Sequence, residues 1–488
     1  MTGLIMLFTL LAYFSLLLWI SYRMRNSGSN DAFFRAGRHS SWGMVAFGMI
    51  GASISGVSFV SVPGWVNKTD MTYLQMCAGF FFGYLLVAFV LLPMYYRLKL
   101  TSIYSYLRTR FGASAQTTGA SFFVMSRLTG AAARLYLACV VLQEFVSEPL
   151  GVPFSLTVII VLVLIWLYTR RSGMKTIVHT DALQTLCLLL ALVVMFVIVI
   201  VKMDLSTQGI IDVVNNSGMN QVFCWEIGSK QYFWWQFLSG IFVVVVMTGL
   251  DQDMMQKNLT CRSLRDAQKD MCAYGICFLP VNFLFLVLGI LLYTFANQHA
   301  VTATGDELMP ALVKSGLLGN VVIIPFAIGI VSAAFSSADS AMTSLTTSIC
   351  IDILGVEQKG RSKPDAERIR KRVHIAVVLA FLTFILLFRV LSSQNVINTI
   401  YVMASYTYGP LLGLYAFGMF TKRTVRRKSI PYICIAAPLI CAALDYSSPR
   451  LWGYTFGYEL LMLNGLITFM ALYLASIGKE LTPSHETL

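Results

Sequence analysis

Charge is scarce in this chain: 12% of its 488 residues are Asp, Glu, Lys or Arg, against about 25% in a soluble globular domain. That shortage excludes an ordinary water-soluble fold. Histidine is scarce too, and its five copies fall into no metal-binding spacing. The ten cysteines are dispersed, mostly within apolar stretches, and include no C-x-x-C pair, which excludes a disulfide framework or a zinc centre. No nucleophile, base and orienting group cluster in the apolar segments, so an enzyme is not expected. The first apolar run has no basic segment before it and no A-x-A cleavage site after it, and it is expected to be a retained anchor. The tail after Lys479 is short and polar, with no catalytic or signalling domain expected on it.

What the chain has in abundance is apolar surface: 57% hydrophobic residues and a mean hydropathy of +0.72. It reads as an all-α polytopic membrane protein. About thirteen apolar runs have the length that a hydrocarbon core of ~30 Å demands. They cover 3–22, 42–66, 72–94, 117–145, 154–169, 176–201, 233–250, 274–296, 321–351, 373–391, 395–419, 430–446 and 456–477. The formal charge of +13 sits in every second loop: Arg23 to Arg38, Arg97 to Arg110, Arg170 to Lys175, Lys257 to Lys269, Lys359 to Arg372, Lys422 to Lys428 and Lys479. By the positive-inside rule this puts the N-terminus outside and the C-terminus inside a multi-pass plasma-membrane protein, or a bacterial inner-membrane one. The basic excess is then a topology signal, and nucleic acid is not expected as a partner.

Two runs carry more polarity than a lipid-facing helix tolerates. In the ninth, Ala333, Ser336, Ser337, Ser340 and Thr343 recur at spacings of three and four, and Asp339 joins that face. An ionised carboxylate in mid-membrane costs about 2.5 to 3.5 kcal/mol on insertion scales and needs a partner. A row of hydroxyls with a carboxylate suits a small hard cation; a close-packing face is the other reading. The second run, GMVAFGMIGASISGVSFVSVPGW, crowds Gly48, Gly51, Ser53, Ser55, Gly56, Ser58 and Ser61 into its centre. Glycine weakens a helix by about 1 kcal/mol per residue. The expectation is a broken span, whose freed carbonyls need an ion, a solute or protein.

Isolated polar residues elsewhere leave alternatives open. Gln75 either lines a solute pocket or sits at the interface. Arg127 is expected to snorkel to the inside face, and Asp253 to be a solvated loop charge. Arg134 lies deeper and either grips a substrate carboxylate or meets a protein acid. His179 is expected at the inner interface. Tyr406 belongs to a polar aromatic patch, Tyr401 to Pro410, placed to touch solute. Tyr232 to Trp235 read as an interface belt.

Four stretches, in order along nearly the whole chain, resemble the sodium:solute symporter family: DAFFRAGRHSSW, GMKTIVHTDALQT, GLDQDMMQKNLTCRSLRDA and SAAFSSADSAMTS. The resemblance implies a leucine-transporter (LeuT-like) fold, a 5+5 inverted repeat with extra N- and C-terminal helices. The chain then divides into 1–41, a first repeat at 42–201, an outer loop at 202–232, a second repeat at 233–419, and two closing helices with a tail at 420–488. It also implies a Na+ site made by the carbonyls of Gly51, Ile54 and Ala333 with the hydroxyls of Ser336 and Ser337. Asp181, by the same comparison, faces Ser336, Asp339 and Ser340 as a second cation site; Asp339 stands where the family leads one to expect a hydroxyl. The function implied is sodium-coupled import of a small organic solute by a monomer in the lipid bilayer. Ser53, Ser55, Ser58, Gln75, Arg134 and Tyr406 favour a sugar or a sugar acid such as sialic acid. An amino acid or a monocarboxylate is the alternative, and a non-transporting solute sensor is the reading from another class.

Overall fold

Each apolar run forms helix, because lipid offers a backbone amide no partner and a helix satisfies it within the segment. The computed structural model describes residues 2–23, 30–54, 56–170, 173–356, 362–391, 396–451 and 453–477. Its main helices are α1 (Thr2–Arg23), α2 (Trp42–Ser53), α3 (Gly56–Thr69), α4 (Tyr73–Leu86), α5 (Ala113–Leu142), α6 (Phe154–Thr169), α7 (Met174–Lys202) and α8 (Phe233–Val244). There follow α9 (Gln252–Asn258), α10 (Leu264–Gln298), α11 (Ile323–Ser348), α12 (Lys363–Leu391), α13 (Val396–Phe420), α14 (Ser429–Leu451) and α15 (Leu460–Leu474). Among the described residues, eight helices are long and apolar enough to cross a membrane, and two bent pairs bring the number to ten. Two-residue strands at Thr424–Val425 and Ser476–Ile477 form the one small sheet described.

The bent pairs are α2 with α3 and α8 with α9, bent by 55° and 69°. In the first, Ile54 still donates its N–H to Ile50 O at 2.9 Å, but its ψ of 85° leads the chain out of the helix. In the second, Asp251 takes an extended conformation and caps α9, its Oδ1 accepting from the N–H groups of Asp253 and Met254 at 2.8 and 3.2 Å. A side-chain cap of this kind restarts a helix by satisfying its first free amides. The seventh apolar run therefore does not stop at Leu250. It turns and re-enters the protein, and all seven residues of α9 are buried.

α11 is the axis of the bundle. Every residue from Gly329 to Ser348 is buried, and α11 packs against α1, α2, α3, α5, α7 and α9. Its small residues let so many neighbours approach. The two ends of the bundle are tied separately. At the basic end, Arg38 donates to Leu100 O at 2.9 Å, Ser40 N–H to Thr260 O at 3.1 Å, and Arg110 to Thr421 O at 2.8 Å. At the other end, Tyr293 OH donates to Gly64 O at 2.7 Å and Met71 N–H to Gln221 O at 3.0 Å.

Candidate functional site

α11 touches both halves of the broken second span. A Cβ added at Gly329 would strike the ring of Phe59 on α3. Two turns further along, Ser336 donates to Asp181 Oδ1 of α7 at 2.7 Å. Asp181 in turn lies against α2, where a Cβ at Gly48 would stand 3.0 Å from its own Cβ. One turn on, Gly51 presses on Thr185 so closely that no side chain fits. Ala333 lies midway between Gly329 and Ser336 on α11 and is buried. The last carbonyls of a helix have no partner within it, and they carry the negative end of its dipole.

Beside this junction is a central cavity lined by Ser53, Ser58, Tyr84, Arg134, Thr248 and Tyr274, among others. Its volume is about 90 Å³, where one water needs ~10–15 Å³. It has room for only a handful of water-sized groups, and a larger solute requires its walls to part. Ser53 hydrogen-bonds Tyr274 OH, which also accepts from Tyr84 OH at 2.7 Å. Arg134 donates from Nη1 to Ser337 Oγ at 3.3 Å. Arg127 lines the cavity as well, and the Arg134 guanidinium both lines it and reaches the hydroxyl face of α11.

The sodium:solute symporter family model matches residues 33–428. The chain belongs to that family. It is 22% identical over 480 residues to the sodium/sialic acid symporter SiaT of Proteus mirabilis (strain HI4320), covering 93% of this chain and 92% of that one. It is 23% identical to the human sodium/iodide cotransporter, over 83% of this chain and 63% of that one. A solved Na+-coupled sialic acid symporter in a substrate-bound outward-open state superposes with a TM-score of 0.82 at 19% identity, over 97% of this chain and 98% of that one. The chain is a multi-pass membrane symporter; it couples sodium to a small solute and is not an enzyme.

The chemistry of the junction fits Na+, which prefers oxygen donors. The residues that the family resemblance implies for it are Gly51 and Ile54 at the end of α2 and Ala333, Ser336 and Ser337 on α11, which could offer carbonyl and hydroxyl oxygens. Ser336 spends its hydrogen on Asp181 and keeps lone pairs for a cation. The second set also gathers. Ser340 Oγ lies 3.4 Å from Asp181 Oδ2, and Asp339 accepts from Tyr168 OH at 2.9 Å and from Ser340 N–H at 2.6 Å. Lys257, one of the cations expected in a basic loop, lies with them: its Nζ, on α9, is 2.8 Å from Asp181 Oδ2, and its side chain is 2% exposed.

Other expectations meet different outcomes. Ser53, Ser58 and Arg134 line the cavity; Ser55 lies outside the described residues. Gln75 is elsewhere: it donates to Thr72 O and Gln231 O at 3.2 and 3.0 Å and accepts from Cys224 N–H at 3.1 Å, tying α4 to the loop before α8. Tyr406 donates to Asp445 of α14 at 2.8 Å, away from the cavity. Arg127 does not snorkel, and Asp253 is not solvated. They form a buried ion pair, and Asp251 Oδ2 stands 3.8 Å from Arg127 while accepting from Tyr408 OH. Tyr84 and Tyr274 gave no signal in sequence beyond their aromatic character. Lys257 had one: the Gly249 to Asp251 segment reads as a helix stop followed by an N-cap.

Proposed function

We propose that this symporter imports an acidic sugar of the sialic acid class together with Na+, by alternating access of the central cavity to the two sides of the membrane. The observation that carries this reading is Arg134, which lines the cavity and donates to Ser337 at 3.3 Å. A guanidinium can grip a carboxylate with two parallel hydrogen bonds. The hydroxyls of Ser53, Ser58, Tyr84 and Tyr274 offer partners for a polyol body. The relatives described above are named for sialic acid and for iodide, both anions, which supports a cationic anchor in the solute site.

Arg134 also explains why ion and solute bind together. A Na+ on Ser337 and the guanidinium on the same hydroxyl repel each other across a dry interior, where charges interact more strongly than in water. An anionic solute neutralises Arg134 and draws it from Ser337, so each ligand strengthens the other. Such reciprocity is the thermodynamic content of coupling. The ion's ligands come from α2 and α11, and its binding stabilises one arrangement of the two.

In this reading the chain crosses the plasma membrane thirteen times, with the N-terminus outside and the basic loops inside. It works as a monomer in the bilayer. The test is thermal stability of the purified protein in Na+ with N-acetylneuraminate or with the neutral sugar N-acetylmannosamine. A ligand that binds the folded state raises its apparent stability by mass action. The acid stabilises the wild type and loses that effect in Arg134→Ala. Equal stabilisation by both sugars, or an unchanged response in the variant, contradicts the reading.

A further inference from the structure

The four oxygen-bearing residues that would make a second cation site are together, and a protein cation is already among them. Asp181 Oδ2 lies 2.8 Å from Lys257 Nζ and 3.4 Å from Ser340 Oγ, and its Oδ1 accepts from Ser336 at 2.7 Å. Asp339 Oδ1 accepts from Ser340 N–H and its Oδ2 from Tyr168 OH. Each of the four carboxylate oxygens therefore has a donor or a cation from the chain itself. Lys257 comes from the short buried half of the second broken span, whose re-entry aims its ammonium at α7 and α11. Asp253 and Asp339 also act on that ammonium electrostatically.

From this arrangement we infer that the Lys257 ammonium is the resident cation of the second site, so that the symporter moves one Na+ per solute. An ammonium is a compact monovalent charge with three donors, and at Asp181 it supplies the charge a second Na+ would bring. Being tethered, it never leaves with the solute and adds nothing to the coupled charge. Removing it would leave the Asp181 carboxylate buried without its cation, which is strongly unfavourable, beside three residues able to offer oxygens to an alkali ion. The site would then take Na+.

This inference rests on the sodium reading of the Ser336 and Ser337 junction, and the experiment separates the two. Equilibrium binding of radioactive Na+ to the purified chain in detergent, with and without N-acetylneuraminate, counts ions per protein. At saturation the wild type binds one and Lys257→Met two, while Ser337→Ala fills its one site only at Na+ higher by about tenfold or more. The methionine keeps the length of the stem and deletes the charge. The conservative Lys257→Arg stays at one. Two ions on the wild type overturn the inference while leaving the sodium reading standing; so does a folded Lys257→Met that still binds one. A wild-type count of zero removes both.

Discussion

Arg134 and Ser337 are joined by a 3.3 Å hydrogen bond that runs from the wall of the solute cavity to the small-residue helix at the centre of the bundle. It links the place where a carboxylate would be held to the place where an alkali ion would be held. Na+ and the guanidinium therefore compete for the same hydroxyl, and a solute carboxylate that draws Arg134 away relieves that competition.

That link makes Arg134→Ala informative beyond solute affinity. With the guanidinium gone, Na+ meets no like charge beside Ser337. Apparent Na+ affinity measured without solute should rise, while the gain in Na+ affinity on adding N-acetylneuraminate should vanish. A coupling of about tenfold corresponds to 1.4 kcal/mol. Na+ titrations monitored by thermal shift, with and without the acid, read both effects.

Ser337→Ala removes one hydroxyl from the junction and places a good helix former on α11. The expected result is a Na+ requirement shifted upward by about tenfold or more, the size of one lost hydrogen-bond-strength contact to a charged group. The melting temperature without Na+ should stay within a few degrees of wild type. Na+-dependence of uptake in proteoliposomes reports the first, and a melt in choline the second.

Arg127 sits between two buried carboxylates, Asp251 and Asp253. Breaking a buried ion pair by removing one partner costs about 3 to 5 kcal/mol. Arg127→Met should accordingly lower the melting temperature strongly in every ionic condition. Arg127→Met with Asp253→Asn should recover part of the loss, because fewer buried charges are then left unpaired.

Gln75→Ala tests a residue whose polar character invited a solute role. Its partners are backbone groups of Thr72, Gln231 and Cys224. Leaving them unsatisfied costs about 1 to 3 kcal/mol. Stability should fall while the discrimination between acidic and neutral sugars stays as in the wild type. A change in that discrimination would bring Gln75 back into the solute site.

With one Na+ and a monoanionic solute, the transported charge sums to zero. A Na+ gains about 2.3 kcal/mol on crossing ~100 mV, and the solute's own charge cancels that gain. Accumulation should then follow the Na+ gradient alone, about tenfold for a tenfold gradient. An imposed potassium diffusion potential should leave it unchanged, and solute addition should evoke no current.

The broken second span was legible in sequence because its cause is local. Gly48, Gly51 and the serines that follow lower helix stability within one stretch, and Ile54 is where the helix ends. The polar face of the ninth run was legible for the same reason, since Ser336, Ser337, Asp339 and Ser340 repeat at helical spacing. The break in the seventh run was hidden by its composition. DQDMMQKN has the polarity of an exposed loop, and it is buried only because distant elements neutralise it: Arg127 for Asp253, and Asp181 for Lys257. Pairings across that much chain leave no periodic trace. Gln75 and Tyr406 show the converse. A lone polar residue in an apolar run carries no mark that tells a solute contact from a clasp between helices.

The claim on which the account turns is that an alkali ion at the junction of α2 and α11 draws the solute in. Uptake of labelled N-acetylneuraminate into proteoliposomes, at fixed pH and with an inward Na+ gradient, measures it directly. Rapid accumulation is expected, lost when choline replaces Na+ and strongly reduced in Ser337→Ala at the same Na+. Uptake at the same rate in choline, or unaltered by Ser337→Ala across the full range of Na+, would contradict it.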